Sequence, residues 1–150
     1  MPILIDNQQE RHRLDAAAVA DVARQVLAAL DRPDAELSIV IVDDVRIEQL
    51  NRSYLNHRGP TNVISFPMQE GPFAGINPDL LGDVVISADT AAREARHADM
   101  PFERRFNQLL VHGILHLCGY DHEDDAAQAR RMERKSRQMM VLLENPKQEV

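Results

Sequence analysis

The sequence predicts an α+β fold in which one small mixed sheet of four strands packs with about five helices. Short β-branched segments bounded by proline or glycine indicate the strands, and longer segments with apolar residues every three or four positions indicate the helices. This mixture favours helices packed on a single sheet. With 150 residues, 44% apolar and 27% charged, the chain has the size and composition of one folded domain, so we expect residues 1–150 to form a single domain.

The first half of the chain is predicted to contain three strands and two helices. The first helix runs from Leu14 to Leu30 on apolar spacing and is closed by Arg32-Pro33. The second helix is capped by Asp43 or Asp44. Its predicted inward residues are Ile47, Leu50 and Tyr54. The strands are predicted at residues 2–6, 36–42 and 62–66.

The second half is predicted to hold one further strand and three helices. Residues 68–80 contain several glycines and prolines and are expected to form a loop or lid. A strand follows at 82–87, and Ser87 or Asp89 caps a helix that ends at His97. Pro101 is expected at the first position of a long helix, and Asp124 is expected to cap the last one. The last helix should bury Met132, Met139, Met140 and Leu143 as core residues.

The eleven residues from His112 to His122 read H-G-I-L-H-L-C-G-Y-D-H and predict a metal site. His112 and His116 are one helical turn apart and therefore project from one face of a helix. Gly119 permits a sharp reversal that would bring His122 back toward them. Three nitrogen ligands and one open position are typical of a catalytic zinc site. We expect one zinc ion per chain on these three histidines, with another divalent metal left open.

Other interpretations of this segment remain open. The histidines could be ordinary surface residues of a helix that Gly119 terminates. Cys118 could be a fourth ligand that closes a structural zinc site, although a packing role is favoured because three histidines suffice. The spacing also matches the metzincin pattern H-E-x-x-H-x-x-G-x-x-H at every position except Gly113, where the peptidase has its general base, Glu. The motif therefore keeps the ligand spacing of a metallopeptidase and lacks its proton acceptor.

One side of the helix that carries His112 and His116 should be buried, and the two histidines should follow the stripe next to it. The predicted buried residues are Phe102, Phe106, Leu109, Leu110, Gly113, Ile114 and Leu117. Arg105, Gln108, His112 and His116 follow the adjacent stripe. Three neutral imidazoles leave the full charge of a divalent ion uncompensated. Such an ion attracts and polarises an anionic phosphodiester more strongly than an ion that also has a carboxylate ligand.

Charge and cysteine content restrict the classes of function. A net charge of −7 argues against coating nucleic acid by bulk electrostatics but permits local contacts. The single cysteine excludes an internal disulfide framework and suggests a reducing, cytoplasmic location. We expect no membrane span and no signal peptide. Basic residues that could grip a polyanion are Arg104, Arg105, Arg130, Arg131, Arg134, Lys135 and Arg137.

Three motifs in order resemble the YbeY family of bacterial metal-dependent endoribonucleases. The histidine motif H-G-x-L-H-L-x-G-Y-D-H is the most specific, and residues 60–67 (P-T-N-V-I-S-F-P) and 81–87 (L-G-D-V-V-I-S) resemble two further blocks. The resemblance covers nearly the whole chain. It implies an α+β fold and a single-strand-specific endoribonuclease acting in rRNA maturation, including the 3′ end of 16S rRNA, and in ribosome quality control. Single-stranded rRNA and the small ribosomal subunit with its proteins are the implied partners.

The chain departs from the family at one position. Many members carry a basic residue directly after the tyrosine of the L-N-x-x-Y block, whereas here Tyr54 is followed by Leu55. Arg58 is a candidate replacement for substrate contact. Asp121, next to His122, could fix a ligand histidine or the turn through its side chain, or could transfer a proton. A non-catalytic ribosome-associated factor with a structural metal is the remaining alternative.

Overall fold

The structure, a computed structural model, describes residues 3–68, 79–120 and 125–145, and in these ranges contains four strands and five helices. The strands are β1 (Ile3–Asn7), β2 (Glu36–Val42), β3 (Val63–Pro67) and β4 (Leu80–Ser87). The helices are α1 (Ala16–Ala29), α2 (Asp44–Leu55), α3 (Ala88–His97), α4 (Phe102–Leu117) and α5 (Ala126–Glu144). The predicted α+β class and the numbers of strands and helices are confirmed.

The sheet is mixed, with the order β1-β2-β4-β3. Strand β1 is parallel to β2, β2 is parallel to β4, and β3 runs antiparallel to β4 at the edge. Ile39 in β2 pairs with Ile5 on one side and Val84 on the other, so the centre of the sheet is apolar. Because β3 is an edge strand that packs against α4, it adjoins the helix of the histidine motif.

The two faces of the sheet are covered very unequally. Alternate residues of β2 and β4, among them Ile39, Val84 and Ile86, are fully buried in a large core with α1, α4 and α5. Among the described residues, the opposite face packs only against a small cluster around Ile47 of α2. Alternation places successive residues of a strand on opposite faces, so Val85 belongs to the small cluster while its neighbours belong to the large one. Helix α4 therefore lies within the main core.

Helix boundaries correct several details of the predictions. Asp43 and Ser87 are the caps of α2 and α3, as expected, each accepting a backbone N–H. Pro101 was placed one position too far into its helix: its backbone is extended (ψ 146°), so it is the N-cap and α4 begins at Phe102. Helix α5 is capped by Asp125, not Asp124, which lies outside the described residues.

Two further predictions have different outcomes. Tyr54 was expected inward but is 69% exposed, because only a small cluster covers that face of the sheet. The loop expected at 68–80 falls mostly outside the described residues, and its last residue, Leu80, begins β4. No helix in the described part of the chain is both long and apolar enough to cross a membrane.

A polar network joins the elements at the carboxyl ends of the parallel strands. The carboxylate of Asp44 accepts hydrogen bonds from Ser87 Oγ at 2.7 Å, Thr90 Oγ1 at 2.6 Å and Arg93 Nη1 at 2.6 Å. The backbone N–H of Asp44 in turn donates to Asp89 Oδ2 at 3.0 Å. Hydrogen bonds to charged acceptors are stronger than neutral ones, so this network fixes α2 against α3.

Asp89 is the buried centre of the network. Its other oxygen accepts from Arg11 Nη1 at 3.1 Å and lies 3.0 Å from His12 Nε2. Burial raises the pKa of Asp89, but the hydrogen bonds from the Asp44 backbone and His12, together with the charge of Arg11, outweigh burial and lower the pKa overall. The carboxylate therefore stabilises the fold in its ionised form.

We expect Asp89→Asn to lower the free energy of unfolding at pH 7 by about 2 kcal/mol, because charge-assisted bonds are lost in a buried place. A carboxyl with a lowered pKa stabilises the fold above its ordinary pKa, and this contribution is lost as the pH falls below about 4. Urea unfolding at pH 7 and pH 3 measures both effects. Asp21→Asn, at an exposed carboxylate of α1, is the control. If wild type and Asp89→Asn differ by the same free energy of unfolding at pH 7 and at pH 3, the ionised form of Asp89 does not stabilise the fold.

Candidate metal centre

Helix α4 carries its buried and accessible residues as two adjacent stripes. On the buried side, Phe106, Leu110 and Ile114 are at most 1% exposed, while Phe102 is only partly buried. Val111 and Leu115 are also fully buried, which the sequence pattern did not predict. They are covered because α4 packs against the sheet and against α1, α3 and α5. A helix held on so many sides presents its remaining stripe in a fixed orientation.

The accessible stripe brings His112 and His116 together. Their ring centroids are 4.7 Å apart, with the planes inclined at 73°, and both residues are half-buried. Arg105 and Gln108 precede them on the same stripe and are joined by a hydrogen bond of 2.8 Å. The predicted placement of these four side chains is therefore confirmed. Two adjacent imidazoles on one helix face are a suitable pair of first ligands for a divalent metal.

The end of α4 is a Schellman motif centred on Gly119. The N–H of Tyr120 donates to Leu115 O at 3.0 Å, and the N–H of Gly119 donates to His116 O at 3.1 Å. Gly119 has φ of +99°, which a residue with Cβ adopts only at a cost. Helix α4 therefore ends at the glycine that the sequence indicated, three residues beyond His116, and the predicted return of His122 falls on residues outside the described part of the chain.

His122 and Asp121 lie outside the described residues, so the ligand set stays a prediction. Among residues 3–68, 79–120 and 125–145, no three potential ligands converge. Cys118 fits a packing role, because it is partly buried against the main core. Burial raises the pKa of its thiol, although the charge of Arg32 acts in the opposite direction.

Gly113 occupies a position that cannot accommodate a side chain in this packing. A Cβ built there would lie 2.6 Å from Val84 Cγ1 and 3.2 Å from Val63 Cγ2. Its carbonyl also accepts a hydrogen bond of 2.9 Å from Ser65 Oγ on the edge strand. Residues of the sheet thus take up the space beside Gly113 that the general base of the metzincin pattern would need.

A cavity of about 660 Å³ lies beside His112, between α4 and α5, and we refer to it as the α4–α5 groove. Its lining contains three arginines (Arg104, Arg105 and Arg137), two glutamates (Glu133 and Glu144) and the polar residues Asn62, Gln108 and Ser136. Asn62, Ser136 and the two glutamates were not singled out from the sequence. Asn62 belongs to the motif of residues 60–67, which was the only signal for it; nothing local to Ser136 distinguishes it.

The basic residues that are candidates for contact with a polyanion lie in different parts of the structure. Arg104, Arg105 and Arg137 line the α4–α5 groove, and Arg131 lies over the Tyr120 ring at 5.5 Å from its centroid. Arg58 is exposed, lies outside the lining of this groove and makes no hydrogen bond or ion pair with any described residue. It precedes Asn62 by four residues in the connection between α2 and β3.

Comparison with known proteins places this chain among enzymes that cleave RNA internally. The profile of the family described as Endoribonuclease YbeY matches residues 4–144. The chain is 53% identical over 146 residues to Endoribonuclease YbeY of Geobacter sulfurreducens, covering 97% of both chains. It is also 53% identical over 140 residues to the protein of that name from Syntrophotalea carbinolica, covering 93% of both. The chain therefore belongs to the YbeY family of endoribonucleases.

A solved structure supports the fold independently. The solution structure of TM1509 from Thermotoga maritima aligns with a TM-score of 0.63 at 21% identity, covering 93% of this chain and 87% of that one. At this identity the similarity concerns the fold alone. The resemblance found in the three sequence motifs is thus confirmed, as is the class of enzyme, an RNA-cleaving hydrolase.

We expect Gly113→Ala to destabilise the protein by about 1–3 kcal/mol, because the new methyl overpacks the contact with Val84. The higher helix propensity of alanine offsets only part of this cost. Thermal unfolding of Gly113→Ala, Val84→Ala and the double variant measures the coupling. The double variant should be more stable than the sum of the two single effects predicts. Purely additive effects would mean that the two residues do not compete for space.

Proposed function

We propose that this chain is a single-strand-specific, metal-dependent endoribonuclease that acts in rRNA maturation. The proposed setting is processing of the 3′ end of 16S rRNA and ribosome quality control in the cytoplasm, with the small ribosomal subunit and its proteins as partners. The observation that carries the proposal is similarity over nearly the full length to proteins named as endoribonucleases. The paired histidines beside an open groove support it.

In this proposal His112, His116 and His122 hold one zinc ion. The set is supported by two imidazoles that already lie side by side on α4 and by the end of that helix at Gly119, three residues beyond His116. A divalent ion held by neutral ligands lowers the pKa of bound water and polarises a phosphoryl oxygen. The packing of α4 in the core gives its two histidines a fixed separation, which is the contribution of this fold to the site.

The chain's own groups then bind and orient the RNA. The α4–α5 groove, of about 660 Å³, lies beside His112 and is the cavity into which we place the strand. Gly113 provides no carboxylate, and Val84 fills the space that a side chain at position 113 would need. A peptidase mechanism with a general base at this position is therefore disfavoured. Protonation of the leaving oxygen therefore falls to a residue elsewhere, for which Asp121 is the candidate nearest in sequence.

The first test removes one ligand. Wild-type protein should contain one metal ion per chain and cut a defined single-stranded RNA while leaving casein intact. His116→Ala should lose tight metal binding, because two ligands remain, and should lose RNA cleavage. Elemental analysis and a gel-based cleavage assay measure these, with His97→Ala, an exposed histidine at the end of α3, as the matched control. Casein hydrolysis that depends on His112 would reverse the choice of function.

Asp121→Asn separates two proposed roles of this carboxylate. If Asp121 orients a ligand histidine, the variant should bind metal about 10–100-fold more weakly, and excess metal should restore cleavage. If it transfers a proton, metal occupancy should be complete and cleavage should still be lost. Metal titration combined with cleavage rates at saturating metal distinguishes these results. A variant with normal affinity and normal cleavage would leave Asp121 with a role in the turn only.

Arg58 is proposed to contact the RNA backbone, replacing the basic residue that is absent at Leu55. Its exposed guanidinium is unpaired within the described part of the chain, so no internal carboxylate competes with a phosphate. We expect Arg58→Ala to bind RNA less tightly, with a shallower dependence of affinity on salt and unchanged metal content. Fluorescence anisotropy at several salt concentrations measures this. A salt dependence equal to that of wild type would remove Arg58 from the contact surface.

A further inference from the structure

The guanidinium of Arg105 is held in place inside the α4–α5 groove. Its Nε and Nη2 donate to Glu94 Oε1 at 3.0 and 2.9 Å, and its Nη1 donates to Gln108 Oε1 at 2.8 Å. Glu94 is further fixed by Asn62 Nδ2, which lies 3.4 and 3.3 Å from its two oxygens. Arg105 is thus oriented by residues of α3, α4 and the connection before β3 before any ligand binds.

This arrangement leaves Arg105 with unused donors. A guanidinium has five N–H groups, and the three bonds to Glu94 and Gln108 use one each on Nε, Nη2 and Nη1. One N–H on Nη1 and one on Nη2 remain, and each can donate a charge-assisted hydrogen bond to a phosphate oxygen. The side chain is 26% exposed and Arg105 lines the groove, so a ligand in the groove lies next to a guanidinium that already holds its bonds to Glu94 and Gln108.

The other two arginines of the groove are arranged differently. Arg104 pairs with Glu144 at 2.6 Å and Arg137 pairs with Glu133 at 2.8 Å, and these four side chains are 40–72% exposed. Exposed pairs of this kind contribute little stability and hold their side chains loosely. A phosphate would compete with those carboxylates for the same donors. Arg105 is therefore the guanidinium of the groove that is best prepared for a specific contact.

The position of Arg105 defines where along the RNA this contact falls. Arg105 precedes His112 by seven residues on the same stripe of α4, which is about 10 Å along the helix axis. A stacked single strand advances about 3.4 Å per nucleotide, so this separation corresponds to about three nucleotides. We propose that Arg105 binds a backbone phosphate about three nucleotides from the cleaved bond, with the strand lying along the α4–α5 groove. This inference rests on the proposed function.

The structural alternative is that Arg105 and Glu94 only clamp α3 to α4. Three variants separate the two roles. Arg105→Ala removes both the clamp and the phosphate contact. Glu94→Gln weakens the clamp but keeps the cation and removes a negative charge close to it. Arg24→Ala, at an exposed ion pair on α1 outside the groove, is the matched control.

The assay uses metal-loaded protein and a fluorescent 12-nucleotide single-stranded RNA that is 2′-O-methylated, with a gel confirming that the probe stays intact. Arg105→Ala should bind about tenfold more weakly, and the slope of log affinity against log salt should fall by about 0.7, the value for one phosphate of a single strand. Glu94→Gln should bind as tightly as wild type or more tightly. Metal content and the melting temperature of each variant are measured in parallel, and Arg105→Gln is used if the alanine variant unfolds.

Two results would overturn the inference: an Arg105→Ala variant that binds like wild type, or a Glu94→Gln variant that is as impaired as Arg105→Ala.

Cleavage of the unmodified RNA shows whether the groove assignment or the proposed function is wrong. Wild type that binds through Arg105 but does not cut would contradict the catalytic proposal and leave the groove assignment standing. Wild type that cuts, with Arg105→Ala unaffected in affinity and salt dependence, would contradict the groove assignment alone. Wild type that neither binds nor cuts would contradict both.

Discussion

The contact between α4 and the sheet is the constraint on which the histidine site depends. Gly113 lets the helix approach Val63 and Val84 so closely that no Cβ fits between them, and Ser65 binds the carbonyl at the same place. On its other sides α4 is covered by α1, α3 and α5. His112 and His116 thus project from a helix that can neither rotate nor shift without disrupting the main core. A metal site needs this rigidity, since its ligands must keep their separation before the ion binds.

An acidic protein that acts on a polyanion has to concentrate its positive charge. With a net charge of −7, general attraction to RNA is weak, so local arrangements decide binding. The structure gathers Arg104, Arg105 and Arg137 in one groove beside His112 and partners each with a carboxylate. Because these arginines pair with carboxylates of the same chain, they attract RNA less strongly in a nonspecific way. In our proposal, the two remaining N–H groups of Arg105 stay available for a phosphate. Affinity in such a groove depends on geometry more than on total charge.

Much of the fold and of α4 was predictable because the signals are local. Apolar periodicity identified the helices, and Gly119 with its two neighbours identified the reversal after α4, since a positive φ favours glycine. The placement of Pro101 failed by one position, because proline is compatible with both the cap and the first turn. The prediction that Tyr54 is buried was wrong, because its exposure depends on how much of the second face of the sheet is covered. No local sequence pattern encodes that coverage.

Long-range polar contacts were not predictable at all. Asp89 and His12 are 77 residues apart in sequence, and Asn62 and Glu94 are 32 apart, yet each pair shares a hydrogen bond. Such pairs arise from the topology of the sheet, which brings the ends of β1, β2 and β4 together. Sequence reasoning therefore found the histidine motif and the arginines of the groove, and missed the contacts of Asn62 and Glu94 that hold Arg105 in place.

X-ray absorption at the zinc edge of the purified, metal-loaded protein identifies the ligand atoms of the proposed metal site. We expect a first shell of nitrogen and oxygen at about 2.0–2.1 Å, with three imidazole ligands and one open position. A sulfur at about 2.3 Å would instead assign Cys118 to a closed structural site. That result, or a shell with fewer than three imidazoles, would contradict the proposal that His112, His116 and His122 form the catalytic centre.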